Sequence, residues 1–239
     1  MTDLARLYSD QGQSIWLDNL SRAMLNSGEL ERWIARGVRG LTSNPTIFAK
    51  AIGGSNDYDD QFSRLISGGL ETEAAYWVMV VDDIRDACDA FGALYEDSDR
   101  SDGFVSVEVS PALARDGTGT LEAARDLAAR VDRGNVMIKI PATKECLPSI
   151  RGAIRAGISV NTTLIFGIER YAEVAEAYIA GLEDRVSDGA TDLSDVAGVA
   201  SFFISRVDTE VDRRLGADSA LRGTAALAQG RLEIGRAHV

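Results

Sequence analysis

A lysine lies inside one of the most apolar stretches of the chain, Asn135-Val136-Met137-Ile138-Lys139-Ile140-Pro141. Side chains alternate between the two faces of a strand, so Val136, Ile138 and Ile140 share one side while Met137 and Lys139 share the other. Among packed side chains an amine is withdrawn from bulk water, which disfavours its charged form. Such an amine suits attack on a carbonyl carbon and Schiff-base formation. The same pattern also fits a lysine paired with a carboxylate, or one whose head reaches out of the strand end. In Phe104-Val105-Ser106-Val107-Glu108-Val109 the valines take one face, and Ser106 and Glu108 take the other. Glu108 is then either the ion-pair partner of Lys139 or the acid/base that carbinolamine formation and breakdown require. Asp18, at the end of an earlier apolar run, adds a second carboxylate, more than a single structural pair needs. Arg206 offers the fork geometry that suits phosphate, unless Asp208 or Glu210 takes it as an ion-pair partner.

These residues need elements that bring them together. Short apolar runs rich in β-branched residues cover Ser14–Leu17, Val38–Thr42, Phe104–Val109, Val136–Ile140, Ile158–Ile165 and Val199–Ile204. They alternate with segments of helical period: Leu20–Ala35, Thr72–Tyr95, Leu121–Val131, Leu147–Ala156, Ile168–Glu183 and Val207–Leu215. Alternation without hairpin signals predicts an α/β fold of parallel strands joined by helical crossovers. A doubly wound open sheet and a (β/α)8 TIM barrel both meet that description. Leu17-Asp18-Asn19-Leu20 lacks the glycine-rich turn that usually follows the first strand of the doubly wound fold. Several runs end in polar residues, namely Asp18, Asn44, Glu108, Lys139 and Arg206, with Asn161 and Thr163 inside the fifth. In a barrel those ends converge on one mouth. Pro45, Pro111 and Pro141 follow closely, as sharp exits from a sheet require. The prediction is an incomplete barrel, with six of eight strand–helix units present.

The 239 residues carry 25 Lys plus Arg against 37 Asp plus Glu, a net charge of −12 that argues against nucleic acid as a partner. No stretch approaches the roughly 18 apolar residues of a membrane span. The segment MTDLARLYSDQ has no basic stretch followed by an apolar one, so no secretion signal is read there. Cys88 and Cys146 are too few for a disulfide scaffold, and a cytoplasmic protein is expected. No linker-like composition divides the chain, which reads as one domain over residues 1–233. Ile234-Gly235-Arg236-Ala237-His238-Val239 is what ATC-GGA-AGA-GCA-CAC-GTC would encode, a string resembling a widely used short-read sequencing adapter. Residues 234–239 are therefore set apart as non-native, and the natural gene is expected to continue past Glu233. The single histidine, His238, lies in that tail, which removes histidine catalysis and histidine metal ligation; no metal is expected.

Four blocks together resemble the transaldolase family in its bacterial form. Gly40-Leu41-Thr42-Ser43-Asn44-Pro45-Thr46-Ile47-Phe48 is similar to the family's first signature, and Val136-Met137-Ile138-Lys139-Ile140-Pro141-Ala142-Thr143 to its second. Ser159-Val160-Asn161-Thr162-Thr163-Leu164-Ile165-Phe166 and Ala200-Ser201-Phe202-Phe203-Ile204-Ser205-Arg206-Val207-Asp208 resemble further blocks, in the family's order, and the likeness runs from about Ile15 to Leu232. The resemblance implies that Lys139 forms the Schiff base, Glu108 acts through a water as acid/base, and Asp18 takes the hydroxyl proton whose loss drives carbon–carbon cleavage. It implies that Thr42, Asn44, Asn161, Thr163 and Ser201 bind substrate hydroxyls, the catalytic water or the amine, with Phe203 beside them and Arg206 on the phosphate. The implied reaction belongs to the pentose phosphate pathway. It moves a dihydroxyacetone unit from sedoheptulose 7-phosphate to glyceraldehyde 3-phosphate, giving erythrose 4-phosphate and fructose 6-phosphate, without metal or organic cofactor.

Cys146 and Ser149 stand where the second signature more often has glycine and an alanine-like residue, and little effect is expected from either. The family's last two strands are missing from the pattern. An open six-strand barrel has two exposed parallel edges, so a second copy of the chain joins phosphorylated sugars among the expected partners. Three rival readings remain. A fructose 6-phosphate aldolase-like enzyme resembles this chain but has glutamine and tyrosine in place of Glu108 and Phe203. A non-catalytic phosphosugar-binding barrel would not need both Lys139 and Glu108. The third is an inactive fragment of a transaldolase.

Overall fold

The computed structural model describes residues 2–237. Helix α1 (Asp3–Gln11) precedes β1 (Trp16–Asp18), and α2 (Arg22–Asn26) and α3 (Glu29–Arg36) lead to β2 (Gly40–Thr42). Then α4 (Pro45–Gly54), α5 (Asp59–Ser67) and α6 (Thr72–Asp97) lead to β3 (Val105–Glu108). The chain continues through α7 (Gly117–Val131), β4 (Val136–Pro141), α8 (Leu147–Arg155), β5 (Val160–Ile165), α9 (Ile168–Ser187), β6 (Gly198–Phe202), α10 (Ser205–Arg214) and α11 (Ala225–Ala237).

Among the described residues the six strands are all parallel and lie in sequence order in one sheet, β1 and β6 being its edges. The alternation read from the sequence holds. Val105, Val107, Val136, Ile138, Ile140 and Val160 join the main core, under the helices. Phe104 and Met137 form a second cluster on the other face, and Trp16 of β1 and Val199 of β6 both pack against it. Strands from opposite edges meet on one inner cluster because the sheet is curled, as in an open barrel. Among the described residues, no helix is long and apolar enough to cross a membrane.

Helix boundaries differ from the periodicity in three instructive places. The predicted helix over 20–35 is two helices, because Gly28 takes a left-handed φ of 68° between them while the apolar spacing runs on undisturbed. Helix α7 begins four residues early, its first turn holding glycines that carry no period and capped by Asp116 Oδ1 at 2.9 Å from the Gly119 N–H. Helix α4 was legible only as a strand exit. Asn44 is its N-cap, accepting from the Ile47 N–H at 3.0 Å, and Pro45 opens the first turn. The segment set apart from Ile234 continues α11 to Ala237; His238 and Val239 lie outside the described residues.

Candidate active site

Parallel register sets the site's geometry. Glu108 of β3 lies opposite Lys139 of β4, Lys139 lies opposite Asn161 of β5, and Pro141 opposite Thr163. Lys139 is only 5% exposed. Its Nζ donates to the Ser43 carbonyl oxygen at 3.0 Å and sits 3.5 Å from Glu108 Oε2. The ion pair foreseen from the sequence is present, and it faces a cavity of about 380 Å³ rather than closed packing. Burial holds the Glu108 carboxyl above its ordinary range, against the pull of Lys139 and, more weakly, of Arg206; Asp18 pushes in the same direction as burial. A protonated carboxyl beside an amine can give a proton to a departing hydroxyl and take it back from water.

The structure gathers Asn44, Glu108, Lys139, Thr163, Phe203 and Arg206 around that one cavity. Arg206 projects from the first turn of α10 with its guanidinium 4.5 Å from the centre of the Phe203 ring, which lies 5.4 Å from Phe166. The alternative ion pairs do not form. Glu210 is taken by Arg213 and Arg214, and Asp208 accepts from the Ala226 N–H at 3.1 Å.

Thr42, Asn161 and Ser201 line a neighbouring cavity of about 460 Å³ on the inner face, alongside Trp16 and Met137. There Ser201 Oγ donates to Asn161 Oδ1 at 2.7 Å, and Asn161 Nδ2 donates to Ser106 Oγ at 3.0 Å. Thr42 Oγ1 is buried and has no hydrogen-bond partner among the described residues. Asp18 is exposed at the end of β1 and lines neither cavity, although its charge reaches Glu108.

Sequence reasoning missed several contributors. Ser43 holds Lys139 through its backbone carbonyl and β3 through Oγ, which donates to the Ser106 carbonyl at 2.8 Å; a main-chain acceptor has no sequence signature. Lys50 lines the Lys139 cavity, as do Thr46 and Ile47 on the same helix. Leu164, 38% exposed, also lines it, with a φ of 61° where β5 carries one residue more than β6 between Thr162 and Ile165. Cys146 and Ser149 pack on the outer side, with Ser149 Oγ donating to the Gly117 carbonyl at 2.6 Å. Among the described residues, no group of three or more His, Cys, Asp or Glu side chains is placed to hold a metal ion.

Residues 15–232 match the family described as Transaldolase/Fructose-6-phosphate aldolase. The chain is 50% identical over 230 residues to Transaldolase 1 of Streptomyces coelicolor, covering 94% of this chain and 60% of that protein. Identity is 52% over 230 residues with the transaldolase of Thermobifida fusca, covering 94% and 62%. With that of Mycobacterium bovis it is 47% over 230 residues, covering 94% and 61%. The chain thus spans about three-fifths of the length of these curated relatives. With the matched residues taking in every strand and every residue of the Lys139 cavity, the chain belongs to the transaldolase/fructose-6-phosphate aldolase family.

Proposed function

We propose that this protein is a transaldolase, carrying a dihydroxyacetone unit from sedoheptulose 7-phosphate to glyceraldehyde 3-phosphate on Lys139. The observation that carries the reading is a buried amine 3.5 Å from a carboxyl whose protonated form burial favours, both facing one cavity. Lys139 Nζ adds to the ketose carbonyl carbon, and the carbonyl oxygen takes up a proton to give a carbinolamine. Glu108 protonates the carbinolamine hydroxyl, directly or through a water, and it leaves as water to give the iminium. Asp18, outside the cavity lining but close enough for its charge to act on Glu108, removes the proton of the substrate hydroxyl next to the scissile bond once the ketose extends toward the end of β1. That bond's electrons pass to the iminium, the first aldose departs, and an enamine remains on Lys139. The enamine attacks the second aldehyde, whose oxygen takes back the proton held by Asp18, and Glu108, now a carboxylate, accepts a proton from the water that hydrolyses the new iminium. Thr42, Asn44, Asn161, Thr163 and Ser201 hold hydroxyls or water, Phe203 walls the site, and Arg206 binds phosphate. No added cofactor enters this scheme.

Transfer is favoured over simple aldol cleavage by Glu108 and Phe203, which replace the glutamine and tyrosine of the aldolase-like branch, and by relatives that are named transaldolases. The partners in this reading are phosphorylated sugars and a second copy of the chain at the sheet edges. Its compartment is the cytoplasm, which suits two free, buried cysteines. The test is borohydride trapping with fructose 6-phosphate, followed by peptide mass mapping. Reduction is expected to fix the sugar on Lys139, and Lys139→Met is expected to abolish the adduct. A chain whose Lys139 stays unmodified at saturating sugar phosphate would overturn the reading.

A further inference from the structure

We propose that Lys50 is a second anchor for the substrate phosphate, acting with Arg206 at the mouth of the Lys139 cavity; this rests on the phosphosugar reading above. Many cations of this acidic chain are already neutralised. Arg22 pairs with Asp83, Arg133 with Asp89, Arg151 with Asp184 and Arg155 with Asp188. Lys50 and Arg206 differ. Both line the Lys139 cavity, and among the described residues neither forms an ion pair.

Their placement is fixed by local structure. The Asn44 cap and Pro45 set the start of α4, and Lys50 follows Thr46 and Ile47 by four and three residues, which puts all three on one helix face. Arg206 is held from the other side by its stack on Phe203. Helix α4 follows β2 and α10 follows β6, so the two cations come from strands on either side of β4, which carries Lys139.

The charge of the cavity points to its ligand. Lys139 is offset by Glu108, the only carboxylate of the lining, which leaves the positive charges of Lys50 and Arg206 uncompensated. A phosphate monoester carries about −1.5 to −2 at neutral pH, which matches that excess. In a protein of net charge −12, a positive cleft also concentrates field lines on the entering anion. Arg206 can grip two oxygens in its fork, whereas Lys50 acts as a point charge, so an arginine at position 50 should serve as well.

Inorganic phosphate, titrated calorimetrically into the full chain, is the direct probe. Binding is expected to weaken roughly fivefold in Lys50→Ala, further in Arg206→Ala, and to vanish in the double variant, with Lys50→Arg close to the parent. In borohydride trapping, the preference for fructose 6-phosphate over dihydroxyacetone should fall about fivefold in Lys50→Ala by the same loss of a charged contact. Unfolding curves check that each variant is folded; Lys50 is exposed, so its loss should not disturb them. Phosphate binding that is absent from the parent, or unchanged in Lys50→Ala, overturns the anchor. Loss of phosphate binding in Lys50→Ala with no adduct on Lys139 in any chain keeps the anchor and removes the Schiff-base reading. An adduct with unaltered phosphate preference in Lys50→Ala does the reverse.

Discussion

Glu108 answers to two opposed demands. As partner to the amine 3.5 Å away it must be charged, and as a proton donor it must be neutral. Burial outweighs the nearby cations and moves its carboxyl upward from the usual range. Its acid form therefore survives to higher pH than that of an exposed glutamate. Imine formation drawing on that proton should be fast below the raised value and slow as pH climbs through it. Glu108→Gln is expected to lower the trapping rate by roughly 10²-fold and to flatten this limb, read from borohydride-quenched time courses over a pH series. A glutamine variant with the parent's rate and profile would leave Glu108 as an ion-pair partner only. Both members of this pair were legible in the sequence, because period-two alternation placed them on one face and parallel register then set them side by side. The Ser43 carbonyl that receives Lys139 was not, since every residue carries such an oxygen and only the path of the chain selects one.

Helices behind β1 and β2 are joined by a buried polar knot. Tyr58, beside α5, donates to Asp83 Oδ2 of α6 at 2.7 Å and accepts from the Arg22 N–H of α2 at 3.0 Å. Arg22 Nε closes the ring on Asp83 Oδ1 at 2.9 Å, and its guanidinium lies 4.3 Å from the centre of the Tyr58 ring. Burial raises the Asp83 carboxyl despite the opposing pull of Tyr58 and Arg22. A raised native value means that Asp83 contributes most below the ordinary carboxylate range, and that this contribution is lost as pH rises through the raised value. The Tyr58 hydroxyl opposes that loss by bonding the ionised form. Tyr58→Phe should thus destabilise by about 1–3 kcal/mol at neutral pH and by less in acid, measured by urea unfolding at both. Equal losses at the two pH values would mean that Asp83 is not ionised in the native knot. None of this was readable beforehand, for the three residues are distant in sequence and no periodicity links them. The Asn44-Pro45 start of α4, by contrast, is in plain view in the sequence but reads equally as a strand exit, the same two residues serving both ends of the turn.

At the scale of the molecule, strand–helix alternation carried the order of the sheet faithfully, since each parallel step needs a crossover and the chain supplies one between each pair of runs. Alternation cannot show how far such a sheet curls. Inner side chains decide that, and Trp16 and Val199 meeting on one cluster records the answer. Strands β1 and β6 each have a single neighbour, and unpaired strand edges promote association. Sedimentation velocity at rising concentration is expected to show a dimer, and Ala200→Lys, which places a charge on β6, is expected to reduce it; a monomeric boundary throughout would refute the pairing. The extra residue in β5 bears on how a wall of this kind is filled. A pleated strand has a parity, granting the interior every second residue and no more. Asn161 and Thr163 take the inward turns and Thr162 the outward one, so Leu164 should face the helices and Ile165 the cavity. Instead Thr163 and Leu164 both border the cavity, and Ile165 is buried in the helix-side core. One residue held at positive φ thus resets the count, and the site gains a side chain that no regular strand of the same length could have lent it.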